Sequence, residues 1–232
     1  IRDRIISAGD GVEALQLVRS HVPDIIVSDV MMPRMNGYKL CKTIKEDINI
    51  SHIPVILLTA RDDRQSQISG YKNGADGYLS KPFEVEMLME LIRNRLKNRE
   101  YTKKRYLNAG LIPTPEESTI SLTDETFLIK LNSIIQENID NTNLGIQFIC
   151  QEVGLGRSSL YNKLKALTGM GANEYISKLR IEKAITLISG TDMPFSEIAE
   201  KTGFTTPSYF STAFKQYTGC LLYTSPSPRD TR

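Results

Sequence analysis

Over its first hundred residues the chain alternates short apolar runs with amphipathic stretches, and that alternation narrows its possible folds more than any other feature. Residues 4–8, 24–28, 54–59 and 77–79 read as strands. Between and after them, residues 11–21, 38–46, 63–73 and 83 to about 98 read as helices. Strands separated by helices cannot close as hairpins; they pair in parallel, with helices over the sheet faces. The run Ile25-Ile26-Val27-Ser28 is apolar with little alternation, as a strand buried on both faces should be.

Beyond residue 121 the strand pattern stops. Helical periodicity marks residues 124–138, 145–153, 157–167, 172–188, 196–202 and 206–217. Twice a short helix runs through a glycine-containing turn into a second helix, at Val153-Gly154-Leu155-Gly156 and at Thr202-Gly203-Phe204-Thr205. That is helix-turn-helix geometry, in which glycine lets the chain turn sharply. Between the halves Arg93, Arg95, Lys97, Arg99, Lys103, Lys104 and Arg105 face only Glu100, and Pro113-Thr114-Pro115 follows. These cations suit either steering of DNA phosphates or the negative end of a helix dipole. The reading is a domain over 1–97, a linker over 98–123 and a second domain over 124–220.

A length of 232 residues has room for two such domains. With 40% hydrophobic and 24% charged residues the composition is that of a soluble globular chain. The longest apolar stretch, 53–60, is far short of the roughly 20 residues that cross a bilayer, so no membrane contact is expected of this segment. Cys41, Cys150 and Cys220 are far apart and lack histidines at metal-ligand spacing. They read as reduced, half-buried thiols of a cytoplasmic protein. His21 and His52 are isolated. The net charge of +2 makes no case for nucleic acid, and between residues 126 and 219 nine basic residues meet eight acidic ones. A DNA-binding role must therefore rest on motifs, with charge segregated by face or affinity shared through a homodimer.

Asp29 ends the buried strand and the loop Val30-Met31-Met32-Pro33-Arg34-Met35-Asn36-Gly37 follows at once. A carboxylate at the C-terminal edge of a parallel strand stands where such sheets bind ligands. Together with Leu57-Leu58-Thr59-Ala60 and Lys81-Pro82-Phe83, in that order, this segment resembles response-regulator receiver domains. The resemblance spans residues 5–97. It implies a flavodoxin-like, doubly wound parallel sheet in which Asp29 accepts a phosphoryl group from a histidine kinase domain. Thr59 and Lys81 would bind that group, Tyr78 would be an aromatic switch, and Asp29 with the carbonyl of Met31 would ligate Mg²⁺. The Lys81-Pro82 bond would be cis. The family also opens with a strand ending in two carboxylates, lying between residues 4–8 and 24–28 in the sheet. Nothing before Arg4 can supply it, so a truncated sheet, a weak metal site and slow phosphorylation are expected of the chain as given.

Residues 156–169, Gly-Arg-Ser-Ser-Leu-Tyr-Asn-Lys-Leu-Lys-Ala-Leu-Thr-Gly, resemble the first helix-turn-helix unit of AraC-type regulators. Ile198-Ala199-x-x-x-Gly203-Phe204 and Ser208-Tyr209-Phe210-x-x-x-Phe214-Lys215 resemble the second. Gly156 departs from a usual serine, and Asn162 stands where a basic residue is common. Periodicity puts Leu160, Leu164 and Leu167 inward, leaving Arg157, Ser158, Tyr161, Asn162 and Lys165 for duplex DNA. In the second recognition helix Phe210, Phe214 and Tyr217 are expected inside, as is Tyr209, with Ser208, Ser211, Thr212 and Lys215 outside. Asn162 and Arg157 suit base edges; the lysines suit phosphates.

The reading is a response regulator without enzymatic activity, whose phosphorylation controls sequence-specific DNA binding and transcription. Its kinase could lie upstream on the same polypeptide, making this the cytoplasmic end of a membrane-bound hybrid sensor. The alternative is a phosphorelay or docking module whose helical domain binds a protein. A flavodoxin-like enzyme lacks support, since no phosphate-cradling glycine loop or nucleophile constellation is present. Residues 221–232 match no regulator ending and are expected to be a foreign tail.

Overall fold

The structure, a computed structural model, describes residues 4–60, 74–109 and 121–219. It falls into two compact units, Ile1–Leu128 with Asn162–Gly169 and Ile129–Tyr161 with Met170–Arg232.

In the first unit β1 (Ile26–Asp29), β2 (Val55–Ala60) and β3 (Gly77–Lys81) form a parallel sheet in that order. α1 (Gly11–His21), α2 (Gly37–Glu46) and α3 (Val85–Ala109) accompany it. The unit also takes the first turns of α4 (Leu122–Glu137) and most of α6 (Arg157–Thr168). α1 begins where Asp10 accepts the N–H groups of Val12 and Glu13 at 2.8 and 3.1 Å, satisfying donors the helix itself leaves unpaired. Leu40, Cys41 and Ile44 of α2 pack with Ile50, Ile53, Val55 and Leu57 in the core. Each large apolar side chain buried there contributes about 1.5–3 kcal/mol. Cys41, expected to be half-buried, is fully enclosed, and burial pushes its thiol up to about 12.

Three expectations are corrected here. Residues 4–8 form no strand: strand geometry is held by pairing, nothing among the described residues pairs with them, and Ile5 is 92% exposed. The helix expected to end at about residue 98 continues through the basic run to Ala109 as α3. Lys103 there meets Glu100 at 2.6 Å, an exposed pair of the kind that supports a helix surface. β3 runs two residues past its expected end, because it follows β2 to the pairing of Ala60 with Lys81. The expected helix over 63–73, Pro113–Pro115, Cys220 and the tail over 221–232 lie outside the described residues.

The second unit holds α5 (Ile146–Val153), α7 (Ala172–Gly190), α8 (Phe195–Lys201) and α9 (Pro207–Thr218), with the rest of α4 and the first turn of α6. Ile181, Ala184, Ile198, Ala199, Phe204, Phe210 and Phe214 form a core. In it the Phe204 and Phe210 rings lie 5.2 Å apart and the Phe210 and Phe214 rings 5.8 Å, spacings that favour tilted aromatic contact.

Both helix-turn-helix turns contain a glycine in the left-handed region, Gly154 at φ 76° and Gly203 at φ 70°. Around Gly154 an added methyl would meet nothing within 4 Å. At Gly203 it would strike the carbonyl oxygen of Ile139 and lie 2.7 Å from the Arg180 guanidinium. Arg180 donates to the carbonyls of Ile139 and Asn141 at 3.2 and 2.6 Å, so it cannot easily withdraw. Gly154→Ala is expected to cost about 1–2 kcal/mol from backbone strain alone. Gly203→Ala should cost about 2–5 kcal/mol, strain plus overlap. Urea unfolding of the two variants checks this, and equal losses would contradict the packing described for Gly203.

Candidate functional site

Parallel strands place their C-terminal ends at one edge, and three chemically active side chains gather there. Asp29 ends β1 opposite Leu58; Thr59 and Ala60 near the end of β2 lie opposite Ser80 and Lys81 of β3. The Lys81 ammonium contacts the Oδ2 of Asp29 directly. The Met31 N–H donates to the other carboxylate oxygen at 3.1 Å. Partial burial raises the affinity of Asp29 for a proton. The hydrogen bonds from Lys81 and Met31 and the ammonium charge outweigh it and hold the carboxyl below its ordinary 3.8.

Thr59 is fully buried, and its hydroxyl has no hydrogen-bond partner among the described residues. An unsatisfied buried hydroxyl costs about 1–3 kcal/mol, so this one stands ready for an acceptor. Tyr78 is elsewhere: it lies opposite Leu57, inside the strand, and packs against the core of α2 and β2. The Lys81-Pro82 peptide bond is cis, as expected.

The loop after Asp29 is fixed by close backbone contacts. The Gly37 N–H donates to the carbonyl of Val30 at 3.0 Å, and a methyl on Gly37 would collide with the carbonyl oxygen of Asp29. Asn36 accepts the Lys39 N–H at 2.9 Å and starts α2. Arg34 occupies left-handed backbone at φ 58° and ion-pairs with Asp10.

The two expected Mg²⁺ donors, the Asp29 carboxylate and the Met31 carbonyl, are adjacent. No group of three or more His, Cys, Asp or Glu side chains among the described residues could hold a metal. Two oxygens do not make a near-octahedral cage, so the described residues do not fit the ion.

On the helical side the exposed faces agree with periodicity at most positions. Arg157, Ser158, Tyr161 and Lys165 of α6 are exposed and Asn162 is half-buried, while Leu160, Leu164 and Leu167 are buried. On α9 Ser208, Thr212 and Lys215 are exposed and Ser211 is half-buried. The hydroxyls of Ser211 and Thr212 donate to the carbonyls of Pro207 and Ser208, both at 3.0 Å. Two aromatics differ from expectation. Tyr209 is 52% exposed, its ring in edge-type contact with Phe204 at 5.7 Å. Tyr217 lies partly outside because its hydroxyl donates to the Glu174 carbonyl at 3.0 Å, which keeps the ring at the surface.

Lys163 was not legible as special, on a helix whose other cations, Arg157 and Lys165, are exposed. It is completely buried, its ammonium on Asp124 and, at 2.7 Å, on the Ser51 hydroxyl. Burial works against ionising Asp124, but the Lys163 charge and the hydrogen bonds from Lys163 and Ser51 hold its carboxyl below the usual range. His52, read from sequence as isolated, is buried beside this pair.

Replacing Lys81 by Met should raise the Asp29 pKa, because it removes the cation favouring the carboxylate. The carboxyl carbon signal of Asp29 in an NMR pH titration reads this. In the parent the pair stabilises the fold above the unfolded pKa of 3.8, and that contribution vanishes as pH falls through the lower folded value. An unmoved titration in the Met variant would remove Lys81 from the site.

Residues 3–93 match the response regulator receiver domain and residues 149–224 a helix-turn-helix domain. Over 212 residues the chain is 42% identical to "Histidine kinase P4" of Formosa agariphila, a match covering 91% of this chain and 15% of that protein. It is 30% identical over 178 residues to "Probable transcriptional regulator ycf29" of Pyropia yezoensis, covering 72% of this chain and 80% of that one. Over 90 residues it is 42% identical to "Response regulator PleD" of Caulobacter vibrioides, 39% of this chain and 20% of that protein.

Proposed function

The chain belongs to the response-regulator family, with a receiver domain joined to an AraC-type helix-turn-helix domain, and from that membership we propose that its whole protein turns phosphorylation of Asp29 into control of transcription. The observation that carries this reading is the meeting of Asp29, Thr59 and Lys81 at one sheet edge in a chain that also holds two helix-turn-helix units.

In this reading an Asp29 oxygen attacks the phosphorus of a phosphohistidine. The P–N bond breaks, imidazole leaves, and an acyl phosphate forms on Asp29. Phosphoryl transfer asks the protein mainly for positioning and charge neutralisation. Lys81 leaves its ion pair to bond one phosphoryl oxygen, and the unpartnered Thr59 hydroxyl donates to another. Tyr78 is assigned as the aromatic group that responds. Receiver domains bind Mg²⁺; of such a site the described residues offer two donors, the Asp29 carboxylate and the Met31 carbonyl, fewer than the ion needs. The domains are assigned as 1–97 and 124–220, joined by 98–123.

The partners assigned are a histidine kinase domain and duplex DNA. A kinase on the same polypeptide is supported by the relative named a histidine kinase, of which this chain matches 15%. No helix among the described residues is long and apolar enough to cross a membrane. The cytoplasm and a homodimer complete the proposal.

Two experiments test the halves separately. Phosphotransfer from a phosphorylated histidine kinase domain to the whole protein should be lost in Asp29→Asn, and label that survives would reject Asp29 as acceptor. For DNA, Asn162→Ala or Arg157→Ala should relax base preference by about 1–3 kcal/mol at the contacted pair. Lys165→Ala and Lys215→Ala should weaken all sequences alike and flatten the salt dependence. Binding-site selection with each variant measures both. Unchanged preferences in Asn162→Ala would end the base-reading assignment, and binding without salt dependence would favour a protein-docking role for the helical domain.

A further inference from the structure

We propose that the first unit contains a second anion site, separate from Asp29: a polar cavity that takes a small tetrahedral oxyanion, either inorganic phosphate or the phosphate of a small phosphomonoester. The cavity has a volume of about 70 Å³ and is lined by Lys45, His52, Asp76, Arg95, Arg99 and Asp124, among others. It exceeds the roughly 10–15 Å³ that one water needs. None of Asp29, Thr59 and Lys81 lines it.

Among the described residues its charges do not balance. Asp76 is committed to Lys45, which meets it at 2.7 Å and also donates to the carbonyls of Ser51 and Ile53 at 3.3 and 2.9 Å. Asp76 accepts the Val55 N–H at 2.7 Å as well. Asp124 is committed to Lys163 and to the Ser51 hydroxyl at 2.7 Å. Both carboxylates are thus neutralised by lysines, and two guanidinium groups remain. Arg99 donates to the carbonyl of Asp24 at 3.3 Å, and neither Arg95 nor Arg99 has a carboxylate partner among the described residues.

The second observation is a pair of orphaned ring and guanidinium nitrogens. The Nε of Arg95 and the Nδ1 of His52 are both buried without a hydrogen-bond partner among the described residues, and His52 is only 8% exposed. Buried polar groups are ordinarily satisfied, and those left over need a reason. The local field agrees: burial first, then the charges of Lys163, Arg99 and Lys45, lower His52 to about 3, against Asp124 alone. A doubly charged oxyanion would offset both arginines and accept from Arg95 and from a His52 tautomer protonated at Nδ1. A water could satisfy the donors but would leave the charge unmatched.

The test is thermal unfolding of the full chain in inorganic phosphate, phosphoserine, acetate, or chloride at matched ionic strength. Phosphate should raise the midpoint by mass action, and chloride and acetate should not. Protection by phosphate alone assigns a free ion, and protection by phosphoserine too assigns a phosphomonoester; both support the site. Arg95→Gln should weaken apparent phosphate affinity about tenfold or more, since it removes a charged hydrogen-bond donor. Because the Arg95 Nε has no partner to lose among the described residues, the same variant should unfold no earlier than the parent without phosphate. Arg99→Gln serves as the second variant, with the same expected loss. Lys97→Gln, an exposed change on the same helix, should keep the full shift. No phosphate shift, a shift that persists in Arg95→Gln, or equal protection by acetate would each overturn the proposal.

Discussion

Parallel strand register makes one site from residues scattered over more than fifty positions. Asp29, Thr59 and Lys81 have no local reason to meet. They meet because β1, β2 and β3 run the same way and end together. Side chains alternate across a sheet with period two, so slipping β2 by one residue would turn Thr59 to the opposite face. It would also take Val55 and Leu57 out of the core that encloses them. The core therefore holds the chemistry in register: the same burial that stabilises the sheet prevents the slip that would dismantle its edge. The close approach of Gly37 to the backbone of Asp29 extends this constraint into the loop.

The elements legible in the sequence were those whose signal is local. α1 was expected over 11–21 and spans Gly11–His21, because its Asp10 cap and its apolar spacing both lie within the segment. The turns at Gly154 and Gly203 were legible for the same reason. Residues 4–8 carry strand propensity, yet propensity becomes a strand only through a neighbour. Tyr209 and Tyr217 misled because aromatic character was taken as a wish for burial. Their hydroxyls and ring edges allow a half-wet position that Phe210 and Phe214 do not have. The Asp29 edge was legible through three motifs in order. His52 was not, because its surroundings come from helices far away in sequence.

Lys163 shows how position on a helix can override residue type. It follows Asn162 directly and falls on the buried side of α6, between Leu160 and Leu164. A hydrophobe there would need no partner. A lysine does, and Asp124 and Ser51 supply one. A buried pair of this kind adds little net stability over an apolar pair, but losing one member leaves an unmatched charge.

Burial also changes how the charge of the helical half is to be counted. Of the nine basic residues between 126 and 219, Lys163, Lys178 and Arg180 are buried. Arg180 is spent on backbone carbonyls of the chain after α4, and Lys178 lies 3.8 Å from Glu182. Lys201 is exposed but meets Glu197 at 3.0 Å. The cations left on the recognition helices are Arg157 and Lys165 on α6 and Lys215 on α9, all exposed. Each phosphate contact adds a salt-dependent increment to DNA affinity, so a face with so few of them binds weakly by charge alone. Under the proposed function, discrimination must then come from Arg157 and the uncharged members of the two faces, Asn162, Tyr161 and the hydroxyls of α9. The weak electrostatic background is what lets those contacts decide between sequences.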